Sequence, residues 1–385
     1  MTVIRTNLLR PAVQRRLENA LLVPVVALLA VGLLMVFSTS FASGLSGGGL
    51  EALRPLLKHL VGLCLGGLLL ALCVWAPLPW LRSAAPWLLA VCVAALVAVF
   101  IPGVAHSVSG HRRWISFLGW QFQPSEFAKV ALMLFLAAAL GNRVQANRRG
   151  RDTSLLGPLT AVGAALLLVA AEPNFATAAV MGLVVLTLLY LAGERAALLF
   201  GLTLAAAVLL VLTLQLTPDK WERVLAFFGK GGLAAHARGV GYQTTQSVRA
   251  LGAGGLVGWG LGTSSAKFGA LPFANTDFVF SVLGQETGFV GCLAVLAAYM
   301  FLGINGLAIG QRTRAPFPAL LIGGLAMMLA LQALVNIAIA VSWCIPMGVP
   351  LPFVSCGGSS LAASLAAVGL MINCARYGQA SPRGR

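Results

Sequence analysis

Long runs of apolar residues alternate with short polar stretches along nearly the whole chain. Ten windows are apolar enough to be membrane spans: residues 20–42, 56–75, 86–101, 125–141, 155–171, 174–192, 196–216, 281–304, 317–342 and 358–376. A helix needs about 20 apolar residues to cross a bilayer, so the shorter windows must tilt or be buried among other helices. The pattern predicts an all-α integral membrane protein with about ten transmembrane helices.

The same pattern divides the chain into one large domain and two short ends. We expect a single polytopic membrane domain at residues 20–376, between a cytoplasmic N-terminal segment at residues 1–19 and a cytoplasmic tail at residues 377–385. The basic N-terminal segment leads into an apolar run of span length. That run is too long for the core of a signal peptide, so no cleavable signal peptide is expected.

Two polar stretches, residues 102–125 and residues 217–280, are too long to be simple turns. The second separates spans seven and eight, and connections longer than about 12–15 residues are usually functional or disordered. It is rich in aromatic residues, among them Trp221, Trp259 and Phe273, which argues against disorder. We expect it to fold against the membrane face and to contain short amphipathic helices.

The distribution of charge predicts the orientation of the spans. Only 9% of the residues are charged, yet the formal net charge is +16, from 26 Lys and Arg against 10 Asp and Glu. Basic clusters such as Arg143, Arg148, Arg149 and Arg151 fall in loops on the side of the N-terminus, which the positive-inside rule places in the cytoplasm. Both termini are therefore predicted inside and residues 217–280 outside. Contacts with anionic lipid account for the charge, so no nucleic acid partner is expected.

One carboxylate stands out in the stretch LPFANTDFVFSVLGQETG, residues 271–288. Asp277 lies at the predicted outer start of span eight, where apolar neighbours such as Phe278 would raise its pKa toward that of a general base. Thr276 and Asp277 could instead cap the helix, and both roles can hold together. Glu286 lies about two and a half helical turns further on, on the opposite face. Acids inside spans are usually paired, so Glu286 is predicted to have a structural or proton-tuning role.

Four stretches resemble the signature segments of the SEDS family (shape, elongation, division and sporulation). They are HRRWISFLGWQFQPSEFAK (111–129), GYQTTQSVRALGAGGLVGWGLG (241–262), LPFANTDFVFSVLGQETG (271–288) and PMGVPLPFVSCGGSSL (346–361). The resemblance runs in order over essentially the whole chain, including the number of spans and the long connection after span seven. Within the family, LLMVFSTS (33–40) and GLGTSSAKFGALP (260–272) look closer to the division branch than to the elongation branch.

The resemblance implies a glycosyltransferase of the bacterial inner membrane that polymerises lipid II into peptidoglycan strands at the outer face. It also implies a class B penicillin-binding protein (a transpeptidase) as partner, with other proteins of the division or elongation complex. In this reaction an acceptor sugar hydroxyl attacks an anomeric carbon and polyprenyl diphosphate leaves, so a general base and cations are needed. The family's catalytic aspartate corresponds to Asp277.

The other candidate residues would bind the substrate. Matching to the family favours Arg113, Lys129 and Lys267 as cations for the diphosphate, because Arg suits bidentate contact and Lys acts as a point charge. Each could instead be an ordinary basic residue at the membrane interface. Glu126 and Lys129 share a helix face at i and i+3, which is as typical of an ion pair as of substrate contact. Gln243 is a candidate for binding sugar.

The VSCGGSS turn, residues 354–360, opens span ten with backbone N–H groups that could meet an anion. Ser359 and Ser360 are therefore predicted to contact the substrate or to pack helices. The four histidines are scattered, and neither they nor the seven cysteines have metal-ligand spacing. No protein metal centre is predicted, although a divalent cation, Mg²⁺ or Mn²⁺, stays open.

The chain departs from the family's usual residues at several positions. Phe273 and Asn275 stand where Glu and His are usual, Asn174 replaces Asp, Gln285 replaces an acid and Cys356 replaces Tyr. These changes remove carboxylates, and they leave two rival interpretations open. One is a transporter that flips lipid II, which would be expected to carry charges at the midplane. The other is a non-catalytic scaffold that activates a class B penicillin-binding protein.

Overall fold

Ten long apolar helices make up most of the fold. The computed structural model describes residues 11–47, 54–102, 105–108, 111–117, 120–151, 153–229, 232–235 and 239–377. The first seven helices are α1 (Pro11–Gly47), α2 (Arg54–Trp75), α3 (Leu78–Ala98), α4 (Pro124–Asn147), α5 (Leu156–Ala171), α6 (Phe175–Leu191) and α7 (Ala196–Gln215). Three short helices follow, α8 (Pro218–Phe228), α9 (Gly232–Ala235) and α10 (Tyr242–Ala253), and then α11 (Val279–Arg312), α12 (Pro316–Ala340) and α13 (Gly358–Tyr377).

Eight of the long helices are long and apolar enough to cross a membrane, and α5 and α6 are shorter apolar helices. The predicted all-α, multi-pass membrane fold with about ten spans is therefore confirmed. α1 begins at Pro11 and so extends into the predicted N-terminal segment, residues 1–19. Apolar windows detect the part of a helix that crosses lipid and miss a polar extension. Residues 1–10, and the predicted tail beyond Tyr377, lie outside the described residues.

The centre of the bundle consists of α4, α12 and α13. In their most apolar windows 67%, 72% and 89% of the residues are buried, whereas in α7 only 6% are. The side chains of α7, such as Phe200, therefore face outward, as expected of a peripheral helix against lipid. The central helices approach closely at small residues: Gly62 of α2 packs directly on Gly358 of α13.

A small antiparallel sheet fills the predicted outer segment between α3 and α4. Its strands are β1 (Ala105–Val108), β2 (His111–Phe117) and β3 (Trp120–Phe122), in the order β1-β2-β3. Ile115 lies opposite Ala105 on one side and opposite Phe122 on the other. No strand was predicted in this segment from the sequence. The sheet matters for the site because β2 carries Arg113.

The long connection between α7 and α11 folds onto the ends of the bundle. After α8, α9 and α10 it forms a π-helical turn at Ala266–Ala270 and a further turn before α11. The N–H groups of Trp259 and Gly260 donate to the carbonyls of Gln285 and Glu286, both at 3.0 Å. Gly258 has φ +78°, and a side chain there would overlap the Glu286 carbonyl. The glycine-rich sequence thus lets this connection lie backbone to backbone on α11.

Candidate active site

A cavity of about 200 Å³ opens beside Asp277 at the end of the bundle that carries the sheet and the long connection. We call it the Asp277 cavity. Strand β2, the turn between α5 and α6, helices α8 and α10, the turn before α11 and the segment after α12 all contribute to its wall. The residues that line it include Arg113, Trp114, Pro173, Asn174, Phe175, Lys220, Arg223, Gln243, Phe273, Asp277, Phe278, Pro346, Met347 and Gly348. Of the predicted site residues, Asp277, Arg113 and Gln243 meet here.

Asp277 lies just ahead of α11 and does not cap it. The residue in the N-cap position is Phe278, and no side chain makes a capping hydrogen bond there. Thr276 instead donates to the Phe273 carbonyl within the preceding turn, and Phe273 itself has φ +57°. Burial raises the pKa of Asp277 to about 6, although the positive charges of Arg113 and Lys220 lower it. Desolvation therefore outweighs the neighbouring cations, as a general base requires.

Arg113 is held in place by main-chain atoms. Its Nε donates to the Glu172 carbonyl at 3.0 Å, and its Nη2 donates to the Pro173 carbonyl. These bonds are to neutral acceptors, so they orient the guanidinium without neutralising it. Its positive charge remains available to Asp277 and to an anion in the cavity.

Two further cations of the cavity were not predicted as site residues. Lys220 and Arg223 lie one turn apart on the amphipathic helix α8, and Nη1 of Arg223 donates to the Pro346 carbonyl at 3.1 Å. Burial, together with Arg223 and Arg113, lowers the pKa of Lys220 to about 8, against the attraction of Asp219 and Asp277. Their spacing of three residues on a short amphipathic helix was the signal in the sequence.

A second acid, Glu172, lies behind Arg113. It is 1% exposed, and neither of its carboxylate oxygens has a hydrogen-bond partner among the described residues. Burial raises the pKa of Glu172 to about 8, while the charge of Arg113 opposes this. A pKa of about 8 favours the neutral form of Glu172 near pH 7. Glu172 was not among the residues predicted for the site.

Lys267 and Glu286 lie in a separate buried cluster. Lys267 Nζ is 2.9 Å from Glu286 Oε1, and their side chains are 2% and 0% exposed. The same oxygen accepts a hydrogen bond from Ser38 of α1 at 2.8 Å. Gln285 accepts from Ser264 Oγ at 2.6 Å and donates to Ser265 Oγ at 3.0 Å. The pairing expected for Glu286 is present, and Lys267 does not line the Asp277 cavity.

Glu126 and Lys129 also form a buried pair, at 3.0 Å on α4. Lys129 donates in addition to Gln332 of α12 at 2.6 Å. Ser359 Oγ accepts from the N–H of Gln123 at 3.1 Å, and Ser360 is buried. None of Glu126, Lys129, Ser359 and Ser360 lines the Asp277 cavity. Substrate contact by these residues, and by Lys267, stays a prediction.

The departures from the family pattern have structural partners here. The side chain of Asn174 lines the cavity and donates to Ser125 at 3.3 Å. Asn275 and Cys356 meet through a main-chain hydrogen bond of 2.9 Å, which does not depend on their side chains. Gln285 uses its amide both to accept and to donate, which an ionised glutamate could not do. Phe273 lines the cavity with an apolar face.

The chemistry of the cavity does not suit a protein-bound divalent cation. Among the residues that line it, Asp277 offers a carboxylate, and the guanidinium and ammonium groups of Arg113, Lys220 and Arg223 surround it. Mg²⁺ and Mn²⁺ prefer several oxygen ligands. Across the described residues, no group of three His, Cys, Asp or Glu could hold a metal ion. The positive charge in this cavity comes from the side chains themselves.

Known proteins resemble this chain over nearly its whole length. A family model for the cell cycle proteins FtsW, RodA and SpoVE matches residues 19–380. The chain is 34% identical over 359 residues to a probable peptidoglycan glycosyltransferase FtsW of Trichlorobacter lovleyi, which covers 92% of each chain. It is 38% identical over 379 residues to the same kind of protein from Halorhodospira halophila, which covers 96% of this chain and 93% of the relative.

Solved structures with a similar fold are also known. One belongs to a peptidoglycan synthase complex that coordinates polymerization and crosslinking; it is 29% identical, with a TM-score of 0.72, over 92% of this chain and 96% of that chain. Another is the rod shape determining protein RodA of Thermus thermophilus, at 26% identity and a TM-score of 0.65, over 94% of this chain and 97% of that chain.

Proposed function

The chain belongs to the FtsW, RodA and SpoVE family of cell cycle proteins, and we propose that its Asp277 cavity is where lipid II is polymerised. The protein is a peptidoglycan glycosyltransferase, the activity named for its FtsW relatives over more than nine-tenths of the chain. We further propose that its substrate is lipid II and that Asp277 is the general base. The reaction would take place at the outer face of the inner membrane.

Asp277 would act on the acceptor sugar hydroxyl. As the hydroxyl oxygen bonds to the anomeric carbon of the donor, its proton passes to the Asp277 carboxylate. The bond from that carbon to the phosphate oxygen breaks, and its electron pair leaves with polyprenyl diphosphate. A positioned base typically contributes about 10²–10⁴ in rate. A pKa of about 6 keeps Asp277 ionised at neutral pH and still basic enough to take a proton.

The cations of the cavity would stabilise the leaving diphosphate. Arg113 is pre-oriented by two carbonyls, and Lys220 and Arg223 approach from α8. Fixed positive groups aimed at developing negative charge lower the barrier because they need little reorganisation during the reaction. Polymerisation thus depends on α8 as much as on the turn that carries Asp277.

One observation supports this proposal above the others. The cavity that contains Asp277 also contains Arg113 of β2 and Lys220 and Arg223 of α8, so its charged groups come from three separate parts of the chain. A general base beside three cations suits a transfer in which a proton is removed and a diphosphate departs. A cavity of about 200 Å³ holds only the reacting part of such a substrate.

The partner and the location follow from the same proposal. A solved neighbour works within a peptidoglycan synthase complex, and here a class B penicillin-binding protein would crosslink the strands that this protein polymerises. The long connection would lie on the outer face of the bacterial inner membrane, with both termini in the cytoplasm.

The decisive experiment replaces the base. Asp277→Asn removes the proton acceptor and preserves the shape, and we expect polymer formation from lipid II to fall by about 10²–10⁴. Glu222→Gln, an exposed acid of α8 outside the cavity lining, is the matched control and should keep its activity. Purified protein would be assayed with its transpeptidase partner, by gel analysis of the glycan.

Wild-type polymerisation by Asp277→Asn, at an equal amount of folded protein, would remove Asp277 from the mechanism. If wild-type protein moved lipid II across vesicles and made no polymer, the transporter interpretation would replace this one. A scaffold role would be favoured if Asp277→Asn rescued cells while neither partner made glycan.

A further inference from the structure

We propose that Asn336 is a positioning residue for Asp277, which fixes the backbone of the aspartate and the segment 346–351 in one arrangement. This inference rests on the proposed role of Asp277 as the base. It also assigns a role to the buried Lys129, which would act in the same arrangement through Gln332.

Asn336 joins the two pieces of main chain that surround the base. It lies on α12 and is 1% exposed. Its Nδ2 donates to the Asp277 carbonyl at 2.8 Å and to the Val349 carbonyl at 2.6 Å. An amide has two N–H donors, and here both are used on backbone acceptors from segments far apart in sequence. The distance between Asp277 and Val349 is therefore set by one side chain.

The residue next to Val349 packs directly on the catalytic carboxylate. A methyl group placed on Gly348 would overlap Oδ2 of Asp277. Gly348 and its neighbour Met347 also line the cavity. The position of this segment consequently determines how much water reaches the carboxylate and where its oxygens point. Because Asn336 bonds to the main chain of Asp277 and of Val349, it controls how Gly348 packs against the Asp277 carboxylate.

A second amide on the same face of α12 holds the next part of the segment. Gln332 is four residues before Asn336, and its Nε2 donates to the Pro350 carbonyl at 2.8 Å. Its Oε1 accepts from Lys129 at 2.6 Å. An ammonium group can only donate, so Lys129 fixes which end of the amide is oxygen and turns the NH₂ toward Pro350. Glu126, 3.0 Å from Lys129, balances the buried charge.

The turn that carries Asp277 is bound to the segment from its other side as well. Ser355 accepts from the N–H of Leu351 at 2.7 Å and donates to the Thr276 carbonyl at 2.5 Å. Residues 276 and 277 are thus linked to the same segment twice, through Ser355 to Leu351 and through Asn336 to Val349. Reacting groups displaced by about 1 Å can lose about 10²-fold in rate, so a fixed frame of this kind matters for catalysis.

The test removes the bonds and keeps the space. Asn336→Leu loses both donors, and we expect kcat to fall by about 10²-fold with a smaller change in KM. Asn336→Gln keeps the amide on a longer side chain and should recover part of the loss. Gln332→Glu keeps the partner of Lys129 but cannot donate to Pro350, and a smaller loss of kcat is expected. Asn305→Leu is the matched control, because the Asn305 amide donates to the Phe301 carbonyl on its own helix, far from Asp277 in sequence.

Two readouts separate positioning from simple stabilisation. The first is the thermal unfolding midpoint of each purified variant, so that rates refer to folded protein. The second is the pH dependence of kcat/KM: if segment 346–351 loosens, water reaches the carboxylate and the acidic limb in Asn336→Leu moves to lower pH. The charged groups near Asp277, Arg113 and Lys220, are unchanged in this variant.

A fall in kcat with a displaced acidic limb in Asn336→Leu, absent in Asn305→Leu, supports the proposal. Wild-type kcat and an unmoved limb in folded Asn336→Leu overturn it, and so does a loss explained entirely by less folded protein. In both of those cases inactive Asp277→Asn leaves the proposed function standing. Active Asp277→Asn would instead show that the base itself was wrongly assigned.

Discussion

At the scale of single residues, two acids in or near the cavity, Asp277 and Glu172, differ in their surroundings. Asp277 interacts with the charges of both Arg113 and Lys220, whereas Glu172 interacts with Arg113 alone and also binds it through its main-chain carbonyl. Burial raises the pKa of both, to about 6 for Asp277 and to about 8 for Glu172. Near pH 7 these pKa values favour an ionised Asp277 and a neutral Glu172. One carboxylate therefore suffices for the proton transfer.

The pH profile of polymerisation should reflect these values. Asp277 must be ionised to accept a proton, so kcat/KM should rise as pH increases through about 6. Lys220 must be charged to stabilise the diphosphate, and Glu172 must stay neutral, so activity should fall above about 8. Initial rates between about pH 5 and pH 9.5 would check this. Lys220→Arg keeps its charge at high pH, and its alkaline limb should move upward; an alkaline limb unchanged in that variant would point to Glu172.

Gly348 gives a second residue-scale prediction. Gly348→Ala suits the backbone but places a methyl group against Asp277 Oδ2. We expect the carboxylate to be displaced and polymerisation to fall by about 10²-fold, with little change in the unfolding midpoint. Gly67→Ala, on the exterior of α2 with open space around it, is the control. Full activity of Gly348→Ala would show that the carboxylate tolerates movement.

The sequence predicted part of this cavity and missed the rest for a clear reason. Asp277 stood out because an isolated acid in an apolar chain has few explanations, and Arg113 was predicted from the family resemblance. Lys220, Arg223 and Glu172 were missed because their importance depends on which segments meet in space. Lys267 was expected near the diphosphate; in the structure its partner is the buried acid Glu286, because the long connection folds onto α11, and the sequence does not show that contact.

At the scale of secondary-structure elements, hydropathy predicted the apolar helices but not the elements outside the bilayer. All ten apolar windows became helices, since a span must satisfy its backbone hydrogen bonds internally. The three strands in residues 105–122 were not predicted, because short strands outside the bilayer leave a weak pattern. The aromatic residues of the long connection indicated that it folds against the membrane face, and short helices were expected there. What the pattern could not show is that α8 turns two cations into the cavity.

The Lys267–Glu286 pair attaches the long connection to α1 and α11. Loss of this pair should lower the free energy of unfolding. Lys267→Met leaves a buried carboxylate unpaired, which typically costs about 3–5 kcal/mol. The double variant Lys267→Met/Glu286→Gln should recover much of the loss, because no isolated charge remains. Thermal unfolding of detergent-solubilised protein measures both.

A more exposed pair provides the comparison. Arg376 and Glu18 join α13 to α1 at 2.8 Å, with side chains 26% and 16% exposed. Arg376→Met should cost only about 0–1 kcal/mol, since water can solvate the remaining carboxylate. Equal losses in the two single variants would mean that burial does not set the strength of the Lys267–Glu286 pair.

At the scale of the whole molecule, the fold places the Asp277 cavity and the exposed arginines that follow α4 at opposite ends. α4 begins at Pro124, directly after the sheet that carries Arg113, and runs 24 residues to Asn147. That length corresponds to about 36 Å, enough to cross a bilayer. The exposed Arg148 and Arg149 therefore lie at the end far from the Asp277 cavity. The structure places the cavity and these arginines on opposite sides of the bundle. From the positive-inside rule we expect the arginine end to face the cytoplasm.

This orientation can be tested by chemical labelling. In a cysteine-free background, Phe228→Cys reports the cavity end, because Phe228 is 75% exposed on α8, and Arg149→Cys reports the opposite end. A membrane-impermeant maleimide added to intact spheroplasts should label residue 228 and spare residue 149, and both should react after permeabilisation. Labelling of residue 149 alone in intact cells would reverse the orientation. Lipid-linked sugars on the outer leaflet could then not reach Asp277, so the same experiment limits where the reaction can take place.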